Sequence, residues 1–198
     1  MGNNLDIFPV RVGVYENKNT EIHKNLLGAI LESEKNSESR ALSNVGGFQS
    51  DDIDPSITKD FCDGFLFEAV SNYLADGLCQ PPFNIFMDSM WSNINYKGCY
   101  NTTHDHSFAD FSFVYYLKAP KNSGSIVFEH PSPTITHNSF FFYGWRRHGT
   151  PANCIAYEIS PKEKNCVIFP AFLRHSVTPN LTRNKRISVA GNLTVRMT

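Results

Sequence analysis

His104-x-His106, His175 and Arg186-x-Ser188 form an ordered set of polar residues with catalytic potential. Each lies in or beside a segment that otherwise reads as buried strand. Two histidines at i and i+2 of an extended chain point to the same face. A third, at the head of a later strand, closes one side of a metal site. Imidazoles that leave coordination positions open suit non-haem Fe(II), and with it oxygen chemistry. Arg186 follows His175 by eleven residues, room for one turn and entry into the next strand. A guanidinium offers a planar fork that matches a carboxylate with two parallel hydrogen bonds. Ser188 faces the same way and adds a hydroxyl. The following Ile187, Val189 and Ala190 place Arg186 at the head of a strand rather than in an exposed basic run over 183–186.

A lone histidine near a strand is usually structural or simply exposed. A pair at i, i+2 followed by a third and then by an arginine is harder to explain that way. The remaining histidines carry no such argument. His23 falls on a helix, and His130, His137 and His148 fall in or near loops, His148 alone within reach of a bound substrate.

Positioning these residues requires a rigid frame. Apolar residues at Ile22, Leu26, Leu27, Ile30 and Leu31 predict a helix over 20–33. A second helix is expected after Asp54-Pro55-Ser56, running to about Ala75 and burying Phe61, Phe65, Leu66, Val70 and Tyr73. A strand is expected over 7–15, interrupted by Pro9 and Gly13. After Pro81-Pro82 the pattern changes to short strands over 83–96, 110–117, 125–128, 154–159, 166–169 and 187–195, divided by turn residues. Two helices followed by many short strands favour one domain, 1–198: a helical support layer at about 20–75 on a jelly-roll core at about 83–195. The Asn44–Ser50 stretch reads as a glycine-containing turn. The aromatic and basic stretch 136–150 reads as a substrate lid or an extra hairpin.

Composition narrows the field. A net charge of −1 gives no polyelectrolyte signal, so nucleic acid is not favoured as a partner. The cysteines are odd in number and scattered, with no CxxC pair, which argues against a zinc knuckle or a disulfide framework. No basic n-region precedes an apolar run at the start, and nothing approaches membrane-spanning length, so a reducing cytoplasm is the expected location.

The order His-x-His, Tyr115-Tyr116-Leu117, Gly124-Ser-Ile-Val-Phe128, Phe169-Pro-x4-His175-Ser-Val-x-Pro-Asn180 and Arg186-Ile-Ser188 resembles the Fe(II)/2-oxoglutarate-dependent oxygenases. It looks closest to their prolyl-hydroxylase-like branch, with its phage and bacterial members. The resemblance covers about 45–193, and Gly46-Gly-Phe-Gln-Ser50 belongs to its more specific parts. It implies a double-stranded β-helix (cupin-like jelly roll) core, and Fe(II), 2-oxoglutarate and O2 as cofactor and co-substrates. It also implies a hydroxylase-type reaction that releases succinate and CO2. Arg186 and Ser188 would grip the distal carboxylate of 2-oxoglutarate, with a phenol from Tyr116 or its neighbour Tyr115. The primary substrate is left open between a peptide, a metabolite and a nucleotide.

The chain departs from the family's His-x-Asp…His pattern, because His104-Asp105-His106 places histidine where the carboxylate is expected. Three readings follow: a three-histidine site of His104, His106 and His175; a bulge that turns Asp105 inward; or Asp110 reaching the metal from the loop. The first is favoured, since strand alternation points Asp105 away from its neighbours. It leaves the site one charge more positive, which strengthens capture of a dianion. Two rivals stand beside this reading. One is a three-histidine cupin-type dioxygenase that needs no keto acid, against which Arg186-x-Ser188 speaks. The other is a non-catalytic jelly-roll binding or structural protein.

Overall fold

A computed structural model describes residues 9–36, 38–40, 42–78, 80–106, 108–132 and 155–198. The 136–150 stretch, with His137 and His148, therefore lies outside the described residues, as do Cys79 and Cys154.

Helix α1 (Thr20–Asn36) is capped by Asn19, whose side-chain oxygen accepts from the backbone of Glu21 and Ile22 at 3.0 and 3.1 Å. Helix α2 (Pro55–Phe61) is capped by Asp54, with proline in the first turn where no N–H is needed. A π turn (Cys62–Leu66) joins α2 to α3 (Phe67–Ala75), so the second expected helix is present as one rod with a local widening. No helix among the described residues is long and apolar enough to cross a membrane.

The strands are β1 (Gly13–Glu16), β2 (Asn44–Val45), β3 (Phe48–Gln49), β4 (Phe83–Asn95), β5 (Tyr100–His104), β6 (Phe111–Lys118), β7 (Ile126–Glu129), β8 (Ala156–Ile159), β9 (Asn165–Pro170), β10 (His175–Val177) and β11 (Arg186–Met197). They form two antiparallel sheets. One has the order β1-β9-β6-β11-β4-β3 and the other β2-β5-β10-β7-β8. The interleaved order, with the two sheets facing each other, is a jelly roll. Of the strand expected over 7–15, residues 7 and 8 lie outside the described residues. Strand β1 begins at Gly13, after Pro9, which cannot donate to a ladder.

The six-stranded sheet is covered on both faces, so its central strands read as nearly continuous apolar runs. Alternate residues go to opposite sides. Phe113, Tyr115, Leu117, Ile168, Ile187, Val189 and Ile94 pack outward against Phe61, Leu66, Val70, Tyr73 and Ile30 of the helices. Tyr116, Val167 and Phe169 turn inward against Ile126, Phe128 and Leu173. The choice between Tyr115 and Tyr116 is thereby decided: Tyr116 faces the interior of the jelly roll.

The Asn44–Ser50 turn is the corner at which the chain changes sheets, since β2 pairs with β5 while β3 pairs with β4. Gly46 has φ +72°, and a Cβ on Gly47 would stand 2.9 Å from the Ile94 carbonyl. Two glycines here let the backbone cross from one sheet to the other at close range.

Helix α1 is tied to the sheet by a buried polar contact. His23 Nδ1 lies 2.9 Å from the Tyr115 hydroxyl, Asn17 Nδ2 donates to the same oxygen at 3.2 Å, and His23 Nε2 lies 3.5 Å from Glu163. Burial lowers the His23 pKa, outweighing the opposing pull of Glu163. Folded His23 therefore resists a proton that the unfolded chain accepts near pH 6.5, and stability falls as pH drops below that value. We expect the thermal midpoint to decline from pH 7 towards pH 5, with a shallower decline in His23→Gln. Parallel pH dependences in the two proteins would contradict this account.

Candidate metal centre

His104 ends β5 and His175 opens β10, and the two stand directly opposite each other in the ladder. The register slips between this pair and the Val177–Asn101 pair. One extra residue of β5 is accommodated there, a bulge. This is why Asn101 and His104, three apart, both reach the cavity between the sheets. A bulge is thus present, but it sits before His104 and turns His104 inward, leaving Asp105 exposed. His106 lies just past the strand, its backbone held by a 2.8 Å bond to the Ala171 carbonyl.

The three imidazoles converge. Ring centroids are 4.3 Å apart for His104 and His175, 5.0 Å for His104 and His106, and 5.3 Å for His106 and His175. One ring nitrogen from each lies within 4.8 Å of the other two. Neither Asp105 nor Asp110 belongs to this cluster. Asp110 is engaged elsewhere, accepting from the Val195 backbone at 2.8 Å.

The donor set fits a metal. Nδ1 of His104 faces the Thr102 carbonyl at 2.8 Å, and Nδ1 of His175 faces the Leu173 carbonyl at 2.9 Å. A carbonyl only accepts, so Nδ1 carries the proton in both rings and Nε2 keeps a free lone pair. Burial lowers all three pKa values, to about 4 for His106 and about 3 for His175, and neighbouring imidazoles reinforce the effect at His106 and His175. Neutral rings at pH 7 are ligands with no proton to displace. Phe169 packs edge-on against His175 at 4.8 Å, and Trp91 and Phe108 flank His106 at 5.7 and 6.3 Å. The cluster opens on a cavity of about 50 Å³ whose polar walls are Ser43, Asn93, Asn101 and Ser112.

Arg186, at the head of β11, is 2 % exposed. Its Nη1 donates to the Gly124 carbonyl at 3.1 Å and its Nη2 to Asn95 Oδ1 at 2.8 Å. Its Nε is buried without a hydrogen-bond partner among the described residues. A buried guanidinium with a spare donor calls for an anion. Ser188 lies two residues on, on the same inner face, opposite Tyr116 on one side and Asn93 on the other. Burial pushes the Tyr116 pKa up to about 12 against the pull of Arg186, so the phenol stays protonated and able to donate. The residues singled out by sequence therefore lie on the facing inner surfaces of one jelly roll.

Gly124 is fixed by this arrangement. It has φ +93°, and a Cβ there would stand 2.1 Å from the Thr178 carbonyl and 3.1 Å from Arg186 Nη1. Gly124→Ala is expected to cost at least about 2 kcal/mol, from the left-handed backbone and the displaced loop together. Equilibrium urea unfolding measures this, and an unchanged midpoint would refute it.

The fold and the centre define a jelly-roll protein with an imidazole cluster and a buried arginine on its inner surfaces. The chain belongs to the family described as "Putative 2OG-Fe(II) oxygenase", whose model matches residues 89–192, just over half its length. Among solved structures it is similar to a prolyl-4-hydroxylase from Pseudomonas putida, at 15 % identity and TM-score 0.62, covering 93 % of this chain and 92 % of that one. It is similar to HygX from Streptomyces hygroscopicus, solved with nickel and 2-oxoglutarate, at 12 % identity and TM-score 0.62, covering 93 % and 83 %. It is also similar to a viral collagen prolyl hydroxylase from Paramecium Bursaria Chlorella virus-1, in its 2OG complex, at 14 % identity and TM-score 0.55, covering 92 % and 94 %. These likenesses establish the double-stranded β-helix fold. No protein of curated function matches the sequence.

Sequence reasoning missed Trp91 and Asn93, which alternate along β4 into the cavity, Asn95 two residues on, and Asn101 and Ser43, which line the same cavity. The signal was available at β4, where Trp91-x-Asn93-x-Asn95 repeats every second residue in a long strand. Nothing in the sequence marks Asn101, because its facing depends on the β5 bulge.

Proposed function

We propose that the chain is an Fe(II)- and 2-oxoglutarate-dependent dioxygenase of the hydroxylase type, consuming O2 and releasing succinate and CO2. One observation carries this reading: three neutral imidazoles converge between the sheets, and Arg186 lies buried on the inner face of the same jelly roll with an Nε that has no hydrogen-bond partner among the described residues. His104, His106 and His175 would hold Fe(II), and Fe(II) with an open coordination position supplies activation of O2. Everything else falls to the protein.

Arg186 takes the distal carboxylate of 2-oxoglutarate through Nε and a neighbouring N–H, with Ser188 and the Tyr116 phenol as further donors. The backbone bonds to Thr102 and Leu173 fix the orientation of two rings. Trp91 and Phe169 supply apolar contacts around the imidazoles, limiting access of water.

The test is anaerobic loading with Fe(II) and 2-oxoglutarate, followed by admission of air and quantification of succinate. Succinate formed only with metal, keto acid and O2 together supports the proposal. Metal binding without any heat from 2-oxoglutarate would instead favour a three-histidine dioxygenase independent of keto acid. Absence of both would leave a non-catalytic jelly roll.

A further inference from the structure

A buried arginine is ordinarily held by a carboxylate, which cancels its charge. Arg186 is not. Among the described residues no carboxylate lies within ion-pair distance of it, and both of its hydrogen-bond partners, Gly124 O and Asn95 Oδ1, are neutral. Asn95 is itself 1 % exposed and held from several sides. A guanidinium only donates, so the Asn95 atom facing it must be the carbonyl oxygen, and the amide of Asn95 is turned the other way. That amide donates to Asn101 Oδ1 at 3.4 Å, and Asn101 Nδ2 donates to Ser43 Oγ at 3.2 Å. The Asn95 main-chain carbonyl accepts from Asn180 at 2.9 Å. A directed run of carboxamides thus connects Arg186 to the wall of the cavity without placing any negative charge beside it.

We infer that Asn95 is a specificity-determining positioning residue: it orients Arg186 through a neutral carbonyl, so the guanidinium keeps its full charge for a dicarboxylic keto acid. This rests on the reading of Arg186 as the clamp for the distal carboxylate. Its consequence is chemical selectivity. The charge of Arg186 is worth something only to a co-substrate with a second carboxylate. An aspartate of the same size at position 95 would serve as that carboxylate permanently. It would still hold Arg186 in place, yet remove the site's reason to prefer 2-oxoglutarate over a keto acid that lacks the distal group.

The experiment compares 2-oxoglutarate with 2-oxobutyrate, which carries the same keto acid without the distal carboxylate. Each is titrated calorimetrically into anaerobic, Fe(II)-loaded protein. Wild type is expected to favour 2-oxoglutarate. Asn95→Asp should weaken 2-oxoglutarate by about 10- to 100-fold, the value of a charge-assisted pair, while 2-oxobutyrate and iron content stay unchanged. Asn95→Ala, which removes the carbonyl without adding charge, should give a smaller loss, again confined to 2-oxoglutarate. It also carries the test if the aspartate variant does not fold. Equal weakening of both keto acids would identify a merely structural role, and undiminished 2-oxoglutarate affinity in Asn95→Asp would overturn the inference. Wild-type protein that binds iron but neither acid would instead remove the keto-acid reading on which this one stands.

Discussion

Replacing His175 with alanine is expected to abolish Fe(II) binding. Wild-type protein should hold about one ion per chain, as a single cluster of imidazoles implies. His175 is the most buried of the three, opposes His104 directly in the ladder, and has its Nδ1 fixed to the Leu173 carbonyl. Loss of a mere outer partner of a ligand typically costs 10–100-fold in metal affinity, so loss of the ligand itself should exceed about 100-fold. Equal metal content in wild type and His175→Ala would sink the assignment. The same measurement separates the ligand sets. His106→Ala should lose iron while Asp105→Ala keeps it, because Asp105 is exposed and outside the cluster. The reverse result would place a carboxylate in the coordination sphere.

The second large effect is expected at Arg186. Arg186→Ala should weaken 2-oxoglutarate by about 10- to 100-fold, since a charge-assisted pair is worth roughly 1.5–3 kcal/mol and each 1.4 kcal/mol is tenfold. Iron should remain bound. The truncation also strands the Gly124 carbonyl and Asn95 Oδ1 in the interior, at about 1–3 kcal/mol each, so the thermal midpoint should fall as well. Arg186→Lys separates the two consequences. Ammonium keeps the charge but cannot span Gly124 and Asn95 as a planar fork, so it should recover only part of the affinity. Calorimetry on metal-loaded protein decides the matter. Unchanged affinity in Arg186→Ala would assign the carboxylate to another cation.

Much of this was legible in the residue order. Periodicity alone places Leu26 and Ile30 on one helix face, and the Asp54-Pro55-Ser56 turn marks where the second helix begins. These are local properties, set by backbone geometry and by the hydrogen-bond capacity of short polar side chains. The His-x-His spacing similarly carried its own meaning, because an extended chain puts alternate residues on one side. His175, Arg186 and Ser188 were marked by their place at strand heads.

Other features depend on pairing between distant segments. The slip between β5 and β10 decides that Asn101 shares a face with His104, and a slip in register is invisible to any single strand. The Gly46-Gly47 corner is a turn by sequence, but only the pairing of β2 with one sheet and β3 with the other makes it a crossing. Tyr115 and Tyr116 are chemically identical neighbours. The helices packed on the outer face fix Tyr115 among Phe61, Phe65 and His23, and so turn Tyr116 to the interior between the sheets. The neutral cradle of Arg186 joins Asn95, 91 residues earlier, to Gly124, 62 residues earlier. Residue type and spacing were enough to nominate the side chains for a metal and an anion. Their facing depends on burial and long-range strand register, which local spacing does not encode and which set the charge and direction of each group.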